Sequence, residues 1–342
     1  MSVLCAVYGR LAAARRRRYA RRADLRRRLR HPVISIGNLS VGGSGKTPVV
    51  AAVASLLQAR GERPAVVSRG YARREHTPGV VIVSDGARVL ATVEQSGDEP
   101  QMLARALPGV AVLVCPDRYA AGTLAEQAFG ATVTILDDGF QHVQLERDVD
   151  LLLVGAGDLT ERLLPWGRLR EPLETARLAH AVVATGTADD AARVAAAIDV
   201  RPVFTVRTAH GAPRLLRPFG APASLPAAAT VVACAGIARP ERFFGALGAL
   251  GFGVARTFAF PDHHWFRAAD VATVEASARA SGAAAVVTTE KDAARLSGGE
   301  APRFGADVPW VYVPMTATLE PAQAFETWLI ERLQAARQVR PA

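Results

Sequence analysis

The sequence predicts an α/β protein with two domains built on mostly parallel sheets, behind an N-terminal basic amphipathic helix. Three observations carry this. The chain has 342 residues, half of them hydrophobic and 21% charged, enough for about two packed domains rather than disorder. Short apolar, β-branched runs alternate with stretches of helical length, the pattern of parallel strands covered on both faces. The charge is uneven. Residues 1–30 hold eleven Arg against one acid, Asp24, so the net charge of +9 belongs to this arm and the remainder is close to neutral.

In the arm, Leu4, Val7, Leu11, Ala14, Leu25 and Leu29 follow helical spacing, and Arg18 and Arg22 interrupt the stripe. A basic amphipathic helix over 1–30, lying on an anionic membrane surface, fits this pattern. A nucleic-acid-binding arm, a disordered tail and an organellar presequence are the alternatives; the near absence of Ser opposes the presequence. As a tether, the arm is expected to be separable from ATP binding.

Strand-like runs follow at 33–36, 65–67, 110–114, 133–136, 151–154, 181–184 and 203–206, with helices such as 46–60, 118–129 and 189–198 between them. A patch rich in Pro, Gly and Ala marks a boundary. This divides the chain into a first domain at 31–210, a linker at 211–227 and a smaller α/β domain at 228–342. The second is expected to hold strands at 230–235, 254–260, 284–288 and 310–313 and helices at 241–250, 268–281 and 321–336. Cys5, Cys115 and Cys234 are single and scattered, which excludes a disulfide framework and fits a reduced, cytosolic compartment. No apolar run reaches the ~18 residues that span a bilayer.

The sharpest local signal is Ser40-Val41-Gly42-Gly43-Ser44-Gly45-Lys46-Thr47, between the strand at 33–36 and the helix opening at Lys46. A glycine-rich turn entering a helix aims backbone N–H groups at one point, where the helix dipole favours an anion. Lys46 would reach the β- and γ-phosphates of a nucleotide, and Thr47 would stand near Mg²⁺. Ser40 occupies the place of the first glycine in GxxxxGK[ST]. The chain has 39 Arg but only two Lys, Lys46 and Lys291, so a compact ammonium at this loop is a specific choice.

The strand at 133–136 runs into Asp137-Asp138-Gly139-Phe140-Gln141-His142. Carboxylates at a strand's carboxyl end, after a phosphate loop, match the metal-holding acids of nucleotide enzymes; a cap or turn made by Asp-Asp-Gly is the other reading. In Gly97-Asp98-Glu99-Pro100, Asp98 could cap a helix, or it could be a general base with Glu99 as a metal contact. Asp262-His263-His264 follows a strand, and adjacent strand residues face opposite ways, so one functional and one structural His is preferred. Arg69, Arg118 and Arg170 each lie just past an apparent element end, where a guanidinium could clamp phosphate.

Together these motifs resemble the tetraacyldisaccharide 4′-kinases of lipid A biosynthesis. The match runs in order through residues 33–48, Ser68-Arg69-Gly70-Tyr71, 97–100, Asp117-Arg118, 136–142, Leu169-Arg170-Glu171-Pro172, 235–244, 262–264 and Thr289-Glu290-Lys291-Asp292. The resemblance implies two α/β/α, P-loop/Rossmann-like domains with the active site between them. It implies an ATP- and Mg²⁺-dependent kinase acting on the 4′-hydroxyl of a membrane-bound acylated disaccharide 1-phosphate, peripheral on the cytoplasmic face of the inner membrane, with no nucleic acid as partner. Carried over by motif, Ser40, Gly42, Gly43, Ser44, Gly45, Lys46 and Thr47 bind the nucleotide. Asp98 is the general base with His263 as partner and Lys46 assisting. Thr47, Glu99, Asp137 and Asp138 are the metal candidates, and Arg69, Tyr71, Arg118, Arg170 and Glu171 the substrate contacts. Two other classes compete. One is a P-loop GTPase or ATPase of the metal-chaperone or partitioning type, opposed by the missing Asn ahead of Lys291-Asp292. The other is a nucleic-acid-binding ATPase using the arm, opposed by the near-neutral body.

Overall fold

A computed structural model describes residues 3–43, 45–298 and 302–339. Helix α1 (Val3–Arg21) precedes the first strand β1 (Val33–Asn38), every residue of which is buried. Then come α2 (Lys46–Ala59), β2 (Pro64–Ser68), β3 (Val81–Asp85), the single turn α3 (Val93–Ser96), α4 (Asp98–Ala106), β4 (Ala111–Val114), α5 (Arg118–Phe129), β5 (Val133–Asp137), β6 (Val149–Gly155), β7 (Ala181–Thr185), α6 (Ala188–Ala197) and β8 (Val203–His210). The second unit holds β9 (Arg214–Leu215), β10 (Thr230–Ala235), α7 (Pro240–Ala249), β11 (Gly253–Ala259), α8 (Ala268–Ala280), β12 (Ala285–Thr289), α9 (Glu290–Leu296) and β13 (Trp310–Val313). The chain closes with β14 (Met315–Glu320) and α10 (Ala322–Gln338).

The larger sheet has the order β14-β8-β7-β6-β1-β5-β2-β4-β3, with antiparallel strands only at its two edges, β14 and β3. Its strands alternate between two cores, as a period of two requires. Ile34, Ile36, Val133, Ile135, Leu151 and Leu153 face α2, α4 and α10. Val33 and Leu136 face α5, and Leu152 and Val154 face α6. The smaller sheet, β11-β10-β12-β13-β9, is parallel except for β9. It packs α8 and α9 on one face and α7 on the other.

Three expectations change. The smaller domain does not run to the C-terminus, because β14 pairs with β8 from Met315–His210 to Glu320–Thr205, and Phe325, Leu329 and Leu333 of α10 lie in the first core. The alternating, half-polar run at 315–320 suits an antiparallel edge, and Leu319 is its buried inward residue. The segment 211–227 is not only a linker, since it contributes β9 to the second sheet. The arm is helical only to Arg21; a short 3₁₀ turn (Ala23–Leu25) follows, and Leu29 is buried against Gly122 of α5.

Phe325→Ala should cost about 3–5 kcal/mol in urea unfolding, the range for truncating a buried Phe. Hydrogen exchange should then lose protection in β8 before β10–β13. Loss confined to the second sheet would place α10 with the wrong unit.

Candidate active site

The carboxyl ends of β1, β5, β2 and β4 meet on one edge of the large sheet, where open α/β sheets bind ligands. From β1 the chain enters the loop 39–45. Ser40 is buried and bridged antiparallel to Leu169, extended backbone that needs no glycine, which explains the departure from the usual loop pattern. Arg168 braces the next turn by donating to Val41 O at 2.7 and 3.0 Å. Gly42 follows at φ 101, and Gly45 is left-handed at φ 76 and caps α2. A Cβ on Gly43 or Gly45 would meet nothing within 4 Å, so the loop keeps open space where a ligand's phosphates would lie. Ser44 lies outside the described residues. Thr47 stands in the first turn of α2.

Lys46 Nζ donates to Asn38 Oδ1 at 3.0 Å and lies 3.5 Å from Asp138 Oδ1. Arg170 reaches the same two residues, donating to Asp138 at 2.7 and 2.8 Å and to Asn38 Oδ1 at 2.5 Å. Burial opposes ionisation of Asp138, but Arg170 and Lys46 outweigh it and hold its carboxyl down at about 2. Asp137 behaves oppositely. Buried and facing Glu99 and Asp138, it is pushed up to about 7; Ser68 donates to its Oδ2 at 3.0 Å, and Oδ1 has no partner. Arg118 is buried beside them and donates to Pro116 O at 3.1 Å. Arg69 and Tyr71 are exposed past β2. Glu171, also expected as a substrate contact, is buried, and its carboxylate is held by Arg16.

A second cluster forms where α4 meets the second unit. Gly97, at φ 89, is the residue before α4, and a Cβ there would lie 2.7 Å from Tyr71 O. Asp98 is therefore inside the first turn rather than its cap. Its buried carboxylate accepts from His263 Nδ1 at 3.0 Å and lies 3.3 Å from Arg295 Nε and 3.9 Å from Lys291 Nζ. Burial pushes Asp98 up, but the His263 hydrogen bond and the charges of Lys291 and Arg295 prevail and keep it below the ordinary carboxylate range. Lys291 also lies 3.5 Å from Glu99 Oε1 and 3.3 Å from His263 Nε2. An ammonium only donates, so Nε2 is the acceptor and the ring proton sits on Nδ1, pointing at Asp98. Tyr71 packs edge-on against the His263 ring, centroids 5.6 Å apart. His264 turns away to Asp270 at 2.9 Å and stacks on Phe260.

The positions expected from sequence thus fall into two adjacent groups. Sequence reasoning missed Asn38, Arg168 and Arg295. Asn38 stood within the strand-to-loop run but has no chemistry of its own until Lys46 and Arg170 converge on it. Arg295 is one Arg among 39; only its burial, and its donation to His264 O and Gly236 O at 2.8 and 3.0 Å, distinguish it. Asp138 at φ 54 and His263 at φ 59 are two of four described non-glycine residues with positive φ, a conformation that costs on the order of 1–3 kcal/mol and gathers at functional sites.

Comparison with known proteins settles the family. The profile described as tetraacyldisaccharide-1-P 4'-kinase (LpxK) matches residues 1–334. The chain belongs to that family. A tetraacyldisaccharide 4'-kinase of Anaeromyxobacter sp. (strain K) is 42% identical over 323 residues, 91% of this chain and 84% of the relative. One from Geobacter metallireducens is 43% identical over 280 residues, 79% of this chain and 80% of the relative. The crystal structure of LpxK from Aquifex aeolicus in complex with ATP is similar at a TM-score of 0.80 and 31% identity, over 96% of this chain and 97% of that one. The α/β fold read from the sequence is therefore that of the family. The chain is a 4'-kinase of lipid A biosynthesis, and this stands over the GTPase and nucleic-acid-binding alternatives.

The raised Asp137 makes a pH prediction for the metal- and nucleotide-free protein. Between about pH 4 and 7 folded Asp137 holds a proton that the unfolded chain releases, so the contribution of this group to stability falls as pH rises, against the opposite contribution of His142, which burial pushes down to about 4. Asp137→Asn should remove that contribution, so that the slope of stability against pH in urea titrations at pH 5, 6, 7 and 8 becomes more positive than in wild type. An unchanged slope would show that Asp137 is not the titrating group.

Proposed function

We propose that the chain transfers the γ-phosphate of ATP to the 4′-hydroxyl of an acylated glucosamine disaccharide 1-phosphate, with Asp98 as general base. The observation that carries this is the buried Asp98–His263 contact of 3.0 Å, made across the two units beside the Lys46 cluster. The N–H groups of the loop 42–47 and the Lys46 ammonium hold the phosphate chain, with Arg118 adding charge. The exposure of Arg69 and Tyr71 past β2 supports their role as contacts to the sugar acceptor.

In the transfer the acceptor oxygen forms its bond to the γ-phosphorus as the bond to the β–γ bridging oxygen breaks, and the hydroxyl proton passes to Asp98. Of about four lone-pair positions on that carboxylate, His263 and the Glu99 N–H occupy two, leaving others for the hydroxyl. His263 orients Asp98, and Lys291 fixes the His263 tautomer. A positioned base contributes ~10²–10⁴-fold; placement and charge neutralisation supply the rest.

Mg²⁺ is part of this reading. Among the described residues no three His, Cys, Asp or Glu side chains converge on one point, which suits an ion held by one or two carboxylates and the substrate's own phosphates. Asp137, with Oδ1 buried and unpartnered, fits best as its ligand beside Thr47; Asp138 is taken by Arg170 and Lys46, and Glu99 lies against Lys291. When bound, the ion neutralises charge on the β- and γ-phosphates.

No helix of the described residues is long and apolar enough to cross a membrane. The expected apolar stripe of α1 lies outward, with Leu4, Val7 and Leu11 at 56, 46 and 65% exposure among exposed arginines. That face supports peripheral binding to an anionic membrane, the cytoplasmic face of the inner membrane in this reading, where the acylated substrate resides.

Incubation with ATP, Mg²⁺ and the acylated disaccharide 1-phosphate should add the mass of one phosphate on the non-reducing sugar; an unmodified acceptor would contradict the assignment. Lys46→Ala should lower turnover by ~10²-fold or more in a folded protein, and retained turnover would remove the phosphate-loop role. Asp98→Ala should lower kcat by ~10²–10⁴-fold with little change in the KM for ATP. A defect in KM alone would make Asp98 a binding residue. Leu4→Ser with Leu11→Ser should reduce sedimentation with phosphatidylglycerol vesicles, and unchanged sedimentation would discard the membrane-facing stripe.

A further inference from the structure

The arm helix is joined to the phosphate loop by a buried chain of polar contacts. The face of α1 opposite the exposed stripe packs on the first unit. There Cys5 donates to Leu163 O at 3.2 Å, and a Cβ on Gly9 would lie 2.9 Å from the Leu163 side chain. Farther along this face stands Arg16, whose side chain is only 10% exposed. Its Nε and Nη2 donate to the two carboxylate oxygens of Glu171 at 2.5 and 2.7 Å, and Nη2 donates to Phe140 O at 2.8 Å. The guanidinium also lies 4.4 Å over the Phe140 ring.

Beyond Glu171 the contacts continue inward. Gln141 Nε2 donates to Glu171 Oε2 at 3.2 Å and to Asn38 O at 3.0 Å. Asn38 is fully buried, and its Oδ1 receives Lys46 Nζ at 3.0 Å. Three residues thus lie between Arg16 and the phosphate-binding ammonium, and every link is a hydrogen bond of 2.5 to 3.2 Å between buried or half-buried groups. A lipid tether needs its arginines in water or at headgroups. Withdrawing one costs desolvation unless its donors are met, and here a planar fork meets a carboxylate edge-on, a geometry Lys cannot reproduce.

We propose that Arg16 is a positioning residue for the phosphate-binding loop: through Glu171, Gln141 and Asn38 it fixes where the Lys46 ammonium stands. The arm is then a working part of the nucleotide site as well as a lipid-facing surface, which reverses the expectation that it is separable from ATP binding. The proposal rests on the kinase reading of this site.

The test compares the full-length chain with Arg16→Met, which keeps length and loses charge, and Arg16→Lys, which keeps charge and loses the fork. ATP binding with Mg²⁺ is measured by calorimetry, and kcat and KM for ATP with the acylated disaccharide in detergent micelles, where membrane binding is not needed. Sedimentation with phosphatidylglycerol vesicles and thermal unfolding run alongside. Arg16→Met should weaken ATP binding and raise its KM by ~10–100-fold, the scale of a catalytic group displaced by about 1 Å, with vesicle sedimentation unchanged. Arg16→Lys should fall between Arg16→Met and wild type. A wild-type KM in Arg16→Met, or a change that only tracks the unfolded fraction, overturns the proposal. If Arg16→Met does not fold, Arg16→Lys decides: a wild-type KM there overturns it. A wild-type chain that binds no ATP would instead fail the kinase reading itself.

Discussion

The carboxylate of Asp98 is withdrawn from water at the junction of the two sheets, and the rest of the site is arranged around keeping it ionised there. An unpaired charge in that position would cost several kcal/mol. The first unit supplies the carboxylate from the first turn of α4, and the second supplies the counter-charges Lys291 and Arg295 from α9 and the hydrogen bond from His263. Neither unit holds the arrangement alone. Arg295 is anchored in turn by Asp292 at 3.2 Å and by two backbone carbonyls, so the grip on Asp98 is built into the second sheet's own packing.

The acids of the site diverge because their surroundings do. Asp98 and Asp138 each face cations and lie below the ordinary range; Asp137, adjacent to Asp138 in sequence, faces carboxylates and burial and lies near 7. Environments that separate like groups mark a division of labour. Asp98 is held ionised by His263, Lys291 and Arg295, Asp138 pairs with Lys46 and Arg170, and burial disfavours Asp137 as an anion.

Much of this was legible in the sequence where the determinants are local. The run 33–48 specifies strand, loop and helix within sixteen residues, and continuous apolar, β-branched runs located most strands. What is non-local was not. Asp98 and His263 are 165 positions apart, and only their resemblance to a family pattern paired them. The return of β14 and α10 to the first sheet was hidden because a half-exposed edge strand carries little apolar signal. Glu171 sits in a recognisable motif, yet nothing in its neighbours reveals that Arg16 occupies it. Arginine is so abundant here that Arg16, Arg168 and Arg295 stand out only by burial and partners.

The pairing of Asp98 with His263 is tested most directly by a double-mutant cycle on kcat/KM with Asp98→Asn and His263→Gln. Residues that act as one unit are strongly non-additive, so the double variant should be scarcely slower than Asp98→Asn alone. Losses that multiply would mean that the two side chains act independently and that the junction of the sheets does not assemble the base.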